Sequence, residues 1–332
     1  MPEEGAQPDW SDYLDLIEAF LLGEPPTLTR GQVAEMSGVP LDEQMELWRE
    51  LGFPSVPDDV VAFTPADVDA IRQTRELQEL GILSEDRKAA LVRTWGRSYA
   101  RLAEWQSALL RDVAQERNGD PVAEMLWLAT DVLPRVEALQ SYVWRRHLLS
   151  AAARFVADPS EPGNQTSRMA VAFVDIVGYT SRSKFLTEEE LVDWIEQFED
   201  AMTHLVVDAG GRVIKNLGDA VLYVCDNPLA AAEVALAAVT RGADEGDSFP
   251  EVRAGLAYGD VVTRLGDVFG PTVNIASRLC SVARPSTVVI DEGSHTEFED
   301  VPTIELKRLR RVGVKGYSRL SMYSLRRARP EH

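Results

Sequence analysis

The sequence predicts two structural classes in one chain: an all-α N-terminal half and an α+β C-terminal half. Three observations carry that reading. Residues 9–156 hold apolar residues at helical spacing. Residues 168–325 alternate short β-rich apolar runs with helices. Between them Ala157 to Ser167, ADPSEPGNQTS, collects the Pro, Gly, Ser and Asn of turns and linkers. A chain of 332 residues has room for about two domains, here expected at 1–156 and 168–327 with a linker at 157–167.

In the N-terminal half, Asp9 to Leu22 reads as a short amphipathic helix. Thr29 to Ser37 and Leu41 to Leu51 read as two helices around a Gly38-Val39-Pro40 turn, as a helix-turn-helix requires. Thr64 and Pro65 are the cap and first residue of a further helix running toward Gly81. Helical patterning then continues from Ser84 to about Val156, with breaks expected near Gly119-Asp120-Pro121 and at Pro134. Trp95, Trp105, Trp127 and Trp144 lie in that stretch and read as core or dimer seam.

In the C-terminal half, Arg168 to Asp175 is an apolar run ending in an acid and reads as a buried strand. Ile176 to Thr180 is a turn. Thr187 and Glu190 form a capping-box pattern, followed by an apolar face from Leu191 to Leu205 and a stop at Gly210-Gly211. Arg212 to Asn216 and Ala220 to Val224 read as a hairpin around Leu217-Gly218-Asp219. An Ala-rich helix spans Pro228 to Arg241. A second hairpin is expected from Val252 to Tyr258 and Val261 to Leu265, turning at Gly259-Asp260. A helix from Pro271 to Ala283, a strand from Thr287 to Asp291, and strands near Ile304 to Val312 and Leu320 to Leu325 complete the order. That order suits a ferredoxin-like α+β sandwich rather than a doubly wound sheet.

Composition narrows the function classes. Thirty-four Lys and Arg stand against 54 Asp and Glu, a formal charge of −20, which disfavours nucleic-acid and anionic-membrane binding. The basic residues gather at 305–332, which holds nine Lys or Arg and two acids. The two cysteines, Cys225 and Cys280, exclude a disulfide framework and a Cys/His metal cluster, and read as reduced core thiols in a cytoplasmic setting. The first ten residues carry neither a basic n-region nor an apolar h-region, so no signal peptide is expected. No apolar run is long enough for a membrane span.

Asp175 and Asp219 sit at strand ends in separate parts of the chain. If their strands are neighbours the carboxylates converge, and Mg²⁺ favours one or two carboxylates completed by water and substrate phosphate. Two ions so held activate a hydroxyl and neutralise a leaving group. Each acid alone reads equally as a turn cap.

FVDIVGYT at 173–180, KNLGDA at 215–220 and DVFGPTVNIASRL at 267–279 together resemble the catalytic domain of class III nucleotidyl cyclases, over about residues 168–325. Lys215 stands four before Asp219, Asp267 seven before Asn274, and Arg278 four after Asn274. The resemblance implies an adenylate cyclase converting ATP to 3′,5′-cyclic AMP and pyrophosphate. It implies that Asp175 and Asp219 hold two Mg²⁺ or Mn²⁺ ions, one activating the ribose 3′-hydroxyl and the other holding the β- and γ-phosphates. It implies that Asn274 orients the ribose and Arg278 stabilises charge at the α-phosphate. Lys315, in VGVKGY, matches a lysine on the terminal phosphates, and Arg253, in EVRAGL, a phosphate-side arginine. Backbone N–H groups of the turn through Tyr179 and Thr180 would face the triphosphate. Lys215 and Asp267 would choose the base: a Lys donor and an Asp acceptor complement adenine N1 and N6, whereas guanine has the opposite polarity. The family takes the two metal acids from one subunit and the base, ribose and transition-state residues from the other, so a homodimer is implied.

GQVAEMSGVPLDEQMELWRELGF and FTPADVDAIRQTRELQELGIL, within residues 31–83, also resemble the helix-turn-helix of MerR-type transcription regulators. DNA binding is not expected, because residues 31–60 hold seven acids and one base, Arg49. The N-terminal half also looks like the helical autoinhibitory domain of bacterial cyclases that respond to pH and lipid. A regulatory role, with a lipid effector there or with His147 and His204 as titrating groups, is the corresponding expectation. A non-catalytic nucleotide sensor and a transcription regulator are the rival classes.

Overall fold

The computed structural model describes residues 14–82, 85–117, 120–157, 166–310 and 320–328. The chain divides into two compact units, Met1–Pro159 and Ser160–His332. Most of the expected linker, residues 158–165, and Lys315 lie outside the described residues.

The first unit follows its local signals. It contains α1 (Leu14–Leu21), β1 (Leu28–Thr29), α2 (Arg30–Ser37), α3 (Leu41–Leu51), β2 (Val61–Phe63), α4 (Pro65–Glu79), α5 (Glu85–Arg117), α6 (Pro121–Trp127) and α7 (Leu133–Ala157). Thr29 caps α2 through a reciprocal pair: its N–H donates to Gln32 Oε1 at 2.8 Å and its hydroxyl accepts from Gln32 N–H. The Thr64 N–H donates to Asp67 Oδ2 at 2.7 Å, fixing the start of α4 with Pro65 in its first turn. A small core of Val33, Val39, Leu47, Phe63, Val68, Ile71 and Val92 joins these elements.

Three expectations change here. The half is not wholly helical: β1 pairs with β2, Leu28 opposite Phe63. Strands of two and three residues have no period to read, and their pairing is long-range. The break expected at Pro134 is instead a π-helical turn over Leu128–Val132, after which α7 continues. Leu133 N–H donates five residues back to Leu128 O, a widening that tolerates a proline ring without stopping the helix. Trp95, Trp105 and Trp144 are 41%, 62% and 58% exposed, which removes the core reading and leaves that of a dimer seam. Trp127 is half-buried under the Arg117 guanidinium, 4.1 Å from its ring.

The second unit is an eight-stranded sheet. It holds β3 (Thr166–Ile176), α8 (Tyr179–Arg182), α9 (Glu188–Asp208), β4 (Arg212–Asn216), β5 (Ala220–Cys225), α10 (Pro228–Gly242), β6 (Val252–Arg264), β7 (Asp267–Phe269), α11 (Pro271–Val282), β8 (Val288–Ile290), α12 (Glu292–Phe298), β9 (Ile304–Arg308) and β10 (Tyr323–Arg327). The strand order is β4-β5-β3-β6-β8-β10-β9, with β7 beside β6. Among the described residues, only the β6–β8 pairing is parallel.

The two sheet faces build two cores. Ala170, Ala172, Val174 and Ile176 of β3 pack with α9, α10 and α12, where Trp194, Phe198, Met202 and Phe298 are buried. Met169 and Val171 face the other way, onto Ala276 and Leu279 of α11. β3 is thus buried on both sides over most of its length, as its unbroken apolar run predicts.

The hairpin expected at Gly259-Asp260 does not form. β6 runs unbroken from Val252 to Arg264, and the reversal comes at Leu265-Gly266, with φ 54° and 78°. Positive φ at both loop residues is what a tight two-residue hairpin needs. Gly259 serves a different purpose: a Cβ there would lie 3.0 Å from Thr272 Oγ1, so its absence admits α11. α12 and β7 were not foreseen, being seven and three residues long.

Candidate active site

The site is built where β3 ends. Asp175 lies opposite Ala220 of β5 and Arg253 of β6. The next N–H, of Ile176, donates to Asp219 O at 2.9 Å. That bond ties the β4–β5 loop to the end of β3 and brings the two acids together. Gly218, with φ 71°, lets the loop turn tightly before Asp219.

Asp175 is not solitary. Arg253 Nε and its terminal nitrogen lie 2.7 and 2.6 Å from Asp175 Oδ2. Burial pushes the Asp175 carboxyl up from the ordinary aspartate range; Arg253 opposes the shift and the Asp219 charge adds to it. Cys280 reaches the same place from α11, its thiol donating to Arg253 O at 3.6 Å. Burial, then the nearby Asp175 charge, pushes that thiol up to about 12. Cys225 is likewise buried and raised to about 11, so neither is a nucleophile at neutral pH.

The same face carries a second pair. Lys215 Nζ lies 2.6 Å from Asp267 Oδ2, joining β4 to β7. A β-bulge between Val213 and Lys215 sets this up: Val213 opposes Tyr223 and Lys215 opposes Leu222. Without the extra residue Lys215 would turn to the opposite face. Leu222 opposes Phe173, two residues before Asp175, so Lys215 and Asp175 rise from one side of the sheet. Asp267 is held by its second oxygen, which accepts from Val268 N–H at 2.8 Å.

Asn274 and Arg278 stand four apart on α11, so they share a helix side. Their side lies away from the buried stripe of Thr272, Ala276, Leu279 and Cys280, with Asn274 exposed and Arg278 half-buried. Among the described residues, no hydrogen bond or ion pair joins either to Asp175, Asp219, Lys215 or Asp267. One chain therefore gathers the acids and the Lys215–Asp267 pair on the sheet and leaves Asn274 and Arg278 facing outward.

The turn after β3 is only partly available. Ile176 N–H is spent on Asp219 and Val177 N–H on Glu251 O. Gly178, Tyr179 and Thr180 remain at the start of α8, whose first N–H groups have no partner within the helix. The Tyr179 ring stacks on Trp194 at 6.0 Å, and Arg182 covers Trp194 at 4.4 Å. The Tyr179 side chain is thus packing. The bulge, the Arg253–Asp175 pair and this aromatic clamp are site features that sequence reasoning missed. The third had a signal in Tyr179, Arg182 and Trp194, but no spacing rule joins a turn to the next helix.

Residues 162–327 match the family described as Adenylate and Guanylate cyclase catalytic domain. The chain belongs to the class III cyclase family. A Streptomyces coelicolor protein named adenylate cyclase is 37% identical over 87% of this chain and 77% of its own length. A Glutamicibacter nicotianae adenylate cyclase is 33% identical over 95% and 82%. A Mycobacterium tuberculosis protein named pH-sensitive adenylate cyclase is 28% identical over 90% and 78%. All three matches extend through both halves of the chain. Among the described residues, no helix is long and apolar enough to cross a membrane.

Cyclase domains of this family use divalent metal ions, and the acids here fit one. Both offer hard carboxylate oxygens at the sheet end, and Asp175 already faces a cation in Arg253. Among the described residues, no group of three or more His, Cys, Asp or Glu comes together. The donor set therefore suits a metal that takes the rest of its shell from water and phosphate, as Mg²⁺ does, rather than a closed protein cage.

Proposed function

We propose that this chain is an adenylate cyclase that forms 3′,5′-cyclic AMP and pyrophosphate from ATP at the interface of a homodimer. The single observation that carries the choice of base is the Lys215–Asp267 pair, 2.6 Å apart on the face that bears Asp175. Opened by substrate, Lys215 donates to adenine N1 and Asp267 accepts from the N6 amine. Guanine would set donor against donor and acceptor against acceptor. Both side chains are about a third exposed or more, and such ion pairs are worth only ~0–1 kcal/mol. Separating them for a base is therefore cheap.

Asp175 and Asp219 would hold two Mg²⁺ or Mn²⁺ ions, which would supply Lewis acidity at the 3′-hydroxyl and charge neutralisation on the phosphates. The 3′-hydroxyl gives its proton to solvent water, and its oxygen bonds to the α-phosphorus as the bond from that phosphorus to the bridging oxygen breaks and pyrophosphate departs. Arg278 donates to the charge that grows on the α-phosphate, and Asn274 holds the ribose in line. Arg253, freed from Asp175, and Lys315 receive the phosphates with the N–H groups of Gly178, Tyr179 and Thr180. Asp175 and Asp219 of one subunit are completed by Lys215, Asp267, Asn274 and Arg278 of the other; that Asn274 and Arg278 face outward in one chain supports this division, and a two-fold dimer then makes two equivalent sites.

The N-terminal half regulates that pairing, a reading supported by the pH-sensitive relative's matching both halves. His204, beside Asp200 at 3.7 Å, and His147 are exposed. The lipid expectation gains no support: an N-terminal cavity by Arg30, Trp48 and Phe53 has a volume of about 140 Å³, below the usual range of ligand pockets.

The test is cyclic nucleotide production by the full chain from ATP and from GTP, with Mg²⁺ and with Mn²⁺. Cyclic AMP from ATP alone is expected. Lys215→Glu should lower kcat/KM for ATP by about 10²-fold while the GTP rate rises relative to it. Cyclic GMP as the main wild-type product, or no cyclic nucleotide from dimeric protein, would overturn the assignment.

A further inference from the structure

The helix that carries Asn274 and Arg278 sits unusually deep on the sheet. A Cβ on Gly255 would lie 2.1 Å from Cys280 N and 2.5 Å from Ala276 O, both backbone atoms of α11. Helix and strand backbones are therefore in direct contact, with no side chain between them. Gly255 and Gly259 are four apart on β6 and share a face. They meet Cys280 and Thr272, eight apart on α11. Four strand residues span about 13 Å and eight helical residues about 12 Å, so the two repeats match along the contact.

Polar bonds pin the helix at both ends of this seat. The Thr272 hydroxyl donates to Asp260 O at 2.7 Å, and the Cys280 thiol donates to Arg253 O at 3.6 Å. Ala276 and Leu279, fully buried, fill the middle. The outward side of the helix bears Asn274 and Arg278. Their reach above the sheet is set by the helix diameter and shortens as the seat deepens.

We propose that Gly255 is a positioning residue for the cyclisation: the hydrogen in place of a side chain sets the depth of α11 and so the reach of Asn274 and Arg278, with Thr272 locking the register. This rests on the adenylate cyclase reading above. The acids and the base pair stand on strands or on the β4–β5 loop, not on α11, so a change in seat depth moves the transition-state groups relative to the acids and the base pair. Real Cβ atoms come no closer than about 3.0 Å to such neighbours, so a methyl at Gly255 lifts α11 by roughly 1 Å. A misplacement of that size can cost about 10²-fold in rate.

The experiment measures steady-state cyclic AMP formation by the full chain. Gly255→Ala should lower kcat about 10²-fold and leave KM for ATP within about twofold. Arg278→Ala should lower kcat about 10²–10³-fold. The double variant should be slower than Arg278→Ala by far less than the Gly255→Ala factor, because the two changes share the Arg278 interaction and only the displaced Asn274 adds to it. Thr272→Val should reduce kcat several-fold and Thr272→Ser should restore it. Wild-type kcat in Gly255→Ala, or losses that multiply in the double variant, would overturn the proposal. If Gly255→Ala does not fold, equal kcat for Thr272→Val and Thr272→Ser would overturn it instead. Wild-type protein that makes no cyclic AMP fails the activity reading, and unchanged amide exchange across 272–282 in Gly255→Ala then fails the seat as well.

Discussion

The two halves of this chain are stabilised in different ways. The C-terminal half closes around β3, which is buried on both faces and packs against helices on each side. The N-terminal half has one small core around Val33 and Phe63, while its long helices leave Trp105, Tyr142, Trp144 and Leu149 more than half exposed. The first arrangement gives up local freedom for long-range pairing. The second relies on caps and helix propensity at each element. The difference places the rigid, pre-organised chemistry on the sheet and leaves the helical half with apolar surface of the kind that marks contact sites.

The sharpest test of that contrast removes one aromatic from each half. Phe198→Ala, in the fully buried core over β3, should cost ~3–5 kcal/mol of unfolding free energy. Trp105→Ala, 62% exposed on α5, should stay within about 0.5 kcal/mol in dilute monomeric protein. Denaturant midpoints read both. Equal losses would mean that the helical half has a core of its own at Trp105.

Next in size is the chemistry. Asp219→Asn should reduce cyclic AMP formation by at least about 10²-fold with the far-ultraviolet circular dichroism unchanged, since Asp219 bonds to β3 through its backbone carbonyl. An unfolded variant would show that the acid is structural.

The smallest effect is in the pH dependence of stability. Asp291 caps α12 by accepting from Ser294 N–H at 2.8 Å, and burial raises its carboxyl above the ordinary aspartate value of 3.8. A raised carboxyl favours the fold while protonated. Its stabilising contribution is present below the ordinary value and is lost as pH rises through the raised one. Asp291→Asn keeps the cap acceptor and cannot ionise. Melting temperatures should therefore move in the variant's favour as pH rises from 3.8 toward neutrality, and a constant difference would rule this out.

Much of the site was legible beforehand because its residues cluster in short motifs. Lys215 and Asp219 flank one loop, and Asn274 and Arg278 share one helix side, so local geometry suffices. The Gly259-Asp260 turn misled because glycine signals both a reversal and a close approach. Only the packing of Thr272 distinguishes them. The aromatic clamp on Tyr179 and the pairing of Arg253 with Asp175 likewise depend on which elements become neighbours.

The amino-acid sequence by itself determined the division into helical and mixed halves, the capped helices and the strand periods. These follow from propensities and hydrogen bonds within a few residues of each other. The tertiary structure decided that Asp175 meets Arg253 and Asp219, that a bulge turns Lys215 toward Asp267, and that β6 is one strand bearing α11. Each depends on register or depth between distant segments. A shift of one residue, or of one methyl group, would change the face or height of a side chain without altering any local signal.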